Sequence, residues 1–123
     1  MAQERGNAMM CMTVMLFLLL SMKTSFATTF MVGDASGWDF GVNSWPNGKS
    51  FKAGDVLEFT YNRAIHDVMV VDKEAYEACE RPISAPRFET GDDLITLKKG
   101  DNYFICSFPG HCEGGLKIAV NAA

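Results

Sequence analysis

Histidine is scarce in this chain: its 123 residues contain two, His66 and His111. That scarcity excludes any site built from many imidazoles, including the multi-metal copper clusters that activate oxygen, so an enzyme of that kind is not expected. Basic runs are also missing, which argues against nucleic acid or an anionic membrane surface as partner. Beyond residue 27 each asparagine (Asn43, Asn47, Asn62, Asn102 and Asn121) lacks Ser or Thr two positions on, so N-glycosylation is not expected. No apolar run is long enough to span a bilayer. The longest, Ala8 to Leu20, would cover about 20 Å as a helix against about 30 Å of hydrocarbon.

That short run lies between Arg5 and the triplet Ser25-Phe26-Ala27, the arrangement of a cleavable signal peptide. Residues 1–27 are therefore expected to be the leader and residues 28–123 the mature domain. The chain closes on Val120-Asn121-Ala122-Ala123 without a polar spacer and hydrophobic tail, so a free, secreted protein with no membrane anchor is expected. The mature part carries nine Lys and Arg against fourteen Asp and Glu, a net charge of −5. Charge of that sign keeps a secreted domain soluble and can steer a cationic partner toward it. Its 96 residues suffice for one core and one domain, expected to be monomeric, and small enough to gain from a covalent staple.

Long helical periods and internal repeats are absent, and short β-type runs separated by Gly, Pro, Asn and Asp take their place. Thr29 to Val32 is expected to open a sheet. Asp55 to Tyr61 alternates so that Leu57, Phe59 and Tyr61 share a face. In the run from His66 to Val71, His66, Val68 and Val70 face one way and Met69 and Val71 the other, as in a strand covered on both sides. Lys73 to Cys79 suits a turn or two of helix ended by Pro82, and the stretch on to Arg87 is not strand-like. Leu94 to Leu97, Tyr103 to Cys106 and the run after Leu116 complete about seven strands, with a turn at Lys98 to Asn102. The expected fold class is all-β, an antiparallel Greek-key β-sandwich.

The chemistry is concentrated in Cys106 to Leu116, CSFPGHCEGGL. Cys106 and His111 stand five positions apart on a Pro-Gly turn, so both side chains can fold onto one point. Adding His66 gives two imidazoles and a thiolate, the trigonal set of an electron-transfer copper site. Thiolate favours Cu(I) and imidazole accepts both oxidation states, whereas zinc would ask for a fourth protein ligand. Of the four cysteines, Cys11 falls in the leader and Cys106 in the metal set. Cys79 and Cys112 remain for a disulfide in the oxidising secretory route.

YFICSFPGHCEGGLKIAVNAA, with GWDFGVNSWPNGKSFKAGDVLEFTYN and HDVMVVDKEAYEAC, resembles the plantacyanin (basic blue protein) branch of the phytocyanins, secreted plant members of the cupredoxin superfamily. The likeness runs from Met31-Val32-Gly33 to the C-terminus. It implies a cupredoxin-like sandwich, one type 1 copper ion held by His66, Cys106 and His111, a Cys79–Cys112 disulfide beside the site, and residence outside the cell, in the plant cell wall or apoplast. Two departures stand out. Leu116 occupies the place of the family's weak axial Met and cannot coordinate, and the domain is acidic where the branch name says basic.

The resemblance implies a one-electron carrier whose electron passes through His111 to an unidentified redox partner or small-molecule reductant. Phe108 and Pro109 beside His111 offer a small apolar rim for brief docking, with ordinary turn packing as the alternative. An extracellular signalling or interaction protein in which copper is mainly structural is the competing expectation. Asp67 matches a place where many blue copper proteins carry an Asn bridging to the ligand loop, and a solvated carboxylate at a strand edge is the other reading.

Overall fold

The computed structural model describes residues 26–123; the signal-peptide expectation for residues 1–27 falls almost wholly outside the described residues. Among these described residues seven strands form two sheets. β1 (Thr29–Met31), β2 (Val56–Thr60) and β5 (Asp92–Thr96) make a three-stranded sheet in that order. The other, four-stranded, runs β4 (Arg87–Phe88), β3 (Val68–Val71), β6 (Gly100–Ile105), β7 (Lys117–Ala122). The fold is the expected all-β sandwich. One pair departs from the antiparallel expectation: β1 lies parallel to β2, Phe30 opposite Leu57. Two single turns of 3₁₀ helix, Asp34–Ser36 and Val42–Ser44, lie in the long connection from β1 to β2 and make that crossover possible.

Alternation places the core. Leu57 and Phe59 of β2 are fully covered, and Phe59 meets Phe104 of β6 across the sandwich with ring centroids 5.1 Å apart. Val68 and Val70 of β3 join the same core with Ile118 and Val120 of β7. The opposite face of β3 is covered too, as its uninterrupted apolar run required: Met69 and Val71 pack with Ile105, Cys112 and Tyr76 beneath the helix. That helix, α1 (Lys73–Ala78), starts where Asp72 Oδ1 accepts the Ala75 N–H at 2.9 Å and stops at Cys79, which adopts a left-handed conformation (φ 53°).

Two local expectations needed adjusting. The stretch before Arg87 holds α1, but Arg87–Phe88 itself pairs with β3 as a two-residue edge strand, Arg87 opposite Met69. Such a strand is too short to leave a period in the sequence. The turn expected at Lys98 to Asn102 ends sooner, because Asn102 already belongs to β6; its side chain accepts the Lys98 N–H and donates back to the Lys98 and Gly100 carbonyls, closing the turn from inside the strand. Among the described residues no helix is long and apolar enough to cross a membrane.

Candidate metal centre

At the end of the sandwich where β6 finishes and β7 begins, the chain makes two irregular approaches. Asn62 organises the first: its side-chain oxygen accepts the Ala64 N–H and its carbonyl accepts those of Ile65 and His66, a compact turn that delivers His66 just ahead of β3. The second is the ligand loop. It is pinched at its base, where the Cys106 N–H donates to the Leu116 carbonyl and the Leu116 N–H donates to that of His111, both at 3.0 Å. Leu116 is thereby fixed next to both loop ligands and is fully buried.

The three side chains singled out from the sequence converge. His66 and Cys106 are buried and His111 is half-buried, and their donor atoms all lie within 4.8 Å of one another. His66 Nδ1 lies 3.1 Å from His111 Nδ1, and Cys106 Sγ lies 3.9 Å from the first and 3.5 Å from the second. A triangle with these sides has its centre about 2.0 Å from every corner, the length of a metal–imidazole bond and slightly short of a metal–thiolate bond. The donor set fits a single first-row ion of the thiolate-tolerant kind, and its trigonal shape favours copper over tetrahedral zinc.

The surroundings prepare these atoms. His66 Nε2 sits 3.5 Å from Asp39 Oδ1, which favours the tautomer with its proton on Nε2 and leaves the Nδ1 lone pair facing inward. The Phe40 ring lies edge-on to both imidazoles, with centroids 5.6 Å from His66 and 4.9 Å from His111, and Phe108 stacks on His111 at 5.7 Å. Phe40 can come this close because Gly114 has no side chain; a Cβ there would meet the ring at 3.1 Å. Burial pushes the Cys106 thiol up to about 11, while the Asp67 and Phe108 backbone amides pull the other way. A thiol so placed is neutral until a metal cation displaces its proton, so metal uptake would release that proton to solvent.

Asp67 resolves its two readings: it is fully buried and bridges to the ligand loop. Its Oδ1 accepts the Ser107 N–H at 2.6 Å, and its Oδ2 accepts the Ser107 hydroxyl and the Arg87 Nε–H, the latter at 2.6 Å. Burial opposes its ionisation, but the Ser107 and Arg87 donors more than offset this and hold its carboxyl below the usual carboxylate range. Trp38, itself buried, donates its indole N–H to the Asp67 carbonyl at 2.8 Å. The turn bearing His66 and the loop bearing Cys106 are thus tied one residue beyond each candidate ligand.

The second tie is covalent. Cys79, at the end of α1, is bonded to Cys112, with Cα atoms 5.7 Å apart, next to His111; Cys106 is the free cysteine among the described residues. Asp39, Phe40, Arg87 and Ser107 were not identified from the sequence. Ser107 and Asp67 each follow a proposed ligand, a signal that was available. Phe40 lies 26 positions before His66, and no spacing rule links them.

A family model described as a plastocyanin-like domain matches residues 37–116. The chain is 48% identical to a chemocyanin of Lilium longiflorum over the full length of both, and 50% identical to a basic blue protein of Cucumis sativus over 76% of this chain and 97% of that one. A solved structure of cucumber basic protein, a blue copper protein, superposes with a TM-score of 0.77 at 49% identity, covering 78% of this chain and all of that one.

Proposed function

This chain belongs to the plastocyanin-like family of copper-binding domains, in its phytocyanin branch, and from that premise we propose that it is a secreted one-electron carrier rather than an enzyme. The observation that carries the proposal is the closed triangle of His66 Nδ1, His111 Nδ1 and Cys106 Sγ, whose 3.1 to 3.9 Å sides suit one ion. We assign these three residues as the ligands of the copper cofactor. Copper bound there would cycle between Cu(I) and Cu(II), exchanging one electron.

The chain's own contribution is rigidity and access. His66 and Cys106 are held by buried strand ends and by the Asp67–Ser107 bridge, so the donor positions need not rearrange when the charge at the centre changes. Half-buried His111 is the proposed exit, flanked by Phe40, which is 53% exposed, and by Phe108 and Pro109 of its own loop. An apolar rim of this size suits the brief docking of a redox partner. Leu116 takes the proposed axial position and offers no donor. Residues 1–27 are proposed as the signal peptide, and the mature domain, 28–123, as an apoplastic protein.

The test is the visible spectrum of the copper-loaded mature domain, residues 28–123. An intense blue thiolate-to-copper band is expected; Cys106→Ser should abolish it and His66→Ala should severely weaken it. A colourless copper-loaded protein, or an unchanged band in both variants, would overturn the assignment.

A further inference from the structure

The described chain is acidic, yet two of its nine basic side chains meet at one place. Arg81 and Arg87 wall a groove of about 480 Å³ whose other sides are Met69, Ser107, Phe108 and Pro109. Its volume falls within the range of small-molecule sites, about 300–1,000 Å³, and it lies open to solvent along its length. A second recess, of about 230 Å³, shares Arg81, Ser107, Phe108 and Pro109 and extends to Cys106.

Both guanidinium groups are held in place at one end. Arg81 Nη1 donates to the Ser107 carbonyl at 3.0 Å. Arg87 is oriented from below by buried Asp67 and at its rim by Glu89, whose Oε1 lies 2.9 Å from Nη1. The pair with Asp67 and Glu89 offsets the charge of Arg87. Arg81, by contrast, forms no ion pair with a carboxylate among the described residues. One of its five N–H donors is occupied, leaving a planar fork of the shape that binds a carboxylate in two places.

We propose that this groove binds a small, flat organic carboxylate, its anionic head on Arg81 and its apolar face against Phe108 and Pro109. Binding changes no covalent bond. It sets a small anionic reactant against the peptide that carries Cys106, a second approach to the centre besides His111. That use rests on the electron-carrier reading; the binding itself does not. The two walls explain why a carboxylate with an apolar body fits better than a bare anion: the fork supplies charge and direction, and the loop supplies desolvated surface.

Benzoate is the probe, titrated by amide NMR into the mature domain in its diamagnetic copper(I) form and again without metal. Saturable shifts confined to Met69, Arg81, Arg87, Ser107 and Phe108 are expected in both. Benzamide, which keeps the ring and loses the charge, should bind at least about tenfold more weakly, as should inorganic phosphate, which keeps the charge and lacks the ring. Arg81→Gln should weaken benzoate by about tenfold or more. Equal binding of benzamide, equal binding of phosphate, shifts centred elsewhere, or no saturable shift with benzoate would each overturn the proposal. Because the metal-free arm needs no copper, a failure here is separable from a missing blue band.

Discussion

The two ends of the sandwich each bury an aspartate, and they do so by different means. At the end where β2 starts and β7 finishes, Asp55 accepts the backbone N–H groups of Thr28 and Lys52, both at 2.9 Å, while main-chain bonds do the remaining closing: Ala53 N–H to the Ala123 carbonyl, Gly54 N–H to that of Leu97. At the metal end, Asp67 takes its donors from the ligand loop and from the side chain of an edge strand, and a disulfide adds a third tie. A backbone-closed end can be specified by local turn chemistry. An end that must hold three side chains around one point needs side-chain ties between segments far apart in sequence, and each tie can be cut by one substitution.

Cutting the Asp67 tie is expected to have the largest effect on folding. Asp67→Ala leaves Arg87, whose side chain is 46% exposed, with Glu89 as its remaining carboxylate partner, but it takes the acceptor from both the N–H and the hydroxyl of buried Ser107, so a loss of about 3 to 5 kcal/mol is expected in denaturant unfolding of the metal-free domain. Asp67→Asn keeps the bridge to the loop and should lose less. Equal stability of the Ala variant and the parent would show that the carboxylate is incidental.

This network also marks where sequence reasoning stopped. Alternation in β2 is enough to orient it, because a half-buried strand cannot hide its period, the uninterrupted apolar run of β3 marks a strand covered on both faces, and the CSFPGHCEGGL spacing carries both candidate loop ligands. His66 was legible because histidine is so rare here. Arg87 was not: it lies in a two-residue strand, 20 positions from Asp67, and an isolated Arg before a Phe has the look of any surface residue. Phe40 and Asp39 reach the site through the irregular β1–β2 connection, whose path depends on tertiary contacts such as the Trp38 N–H on the Thr60 carbonyl rather than on any repeat.

The disulfide comes next in size. Cys79 and Cys112 are 33 positions apart, and opening that loop should cost about 3 to 4 kcal/mol in the chain-entropy account, read as a lower melting temperature for the Cys79→Ala, Cys112→Ala double variant. The comparison between the ends sharpens if the loss is accompanied by faster amide exchange at His111 and Gly114 while Ala53 and Gly54 keep their protection. Uniform loss of protection at both ends would mean that the bond acts on the unfolded chain alone.

Asp55 should matter less. Asp55→Ala removes an acceptor that serves two backbone N–H groups near water, as a helix cap does, and about 1 to 2 kcal/mol is expected. The Thr28 and Lys52 amides hold its carboxyl below the usual range. A depressed folded pKa means that its contribution is fully present above the unfolded value, near 3.9, and is lost as pH falls through the folded one. The stability difference between parent and Asp55→Ala should therefore be constant at neutral pH and shrink only below about pH 4. A difference that faded between pH 5 and 7 would assign the effect to another group.

The smallest structural change tests the metal end from inside. Leu116→Met is nearly volume-conserving, so stability should move by less than about 1.5 kcal/mol even though the residue is fully buried. Its redox effect should be out of proportion to that. In the proposed axial place a thioether would donate weakly to copper and favour Cu(II) over Cu(I), so the reduction potential of the Met variant should lie below that of the parent. Voltammetry of the two forms reads the sign directly. The backbone at this position is fixed by its bonds to Cys106 and His111, which keeps a longer, more flexible side chain from displacing the loop and leaves the axial donor as the one difference between the proteins. An equal or higher potential in the Met variant would mean that the side chain of residue 116 does not face the metal, and that the fourth position belongs to some other group at this end of the sandwich.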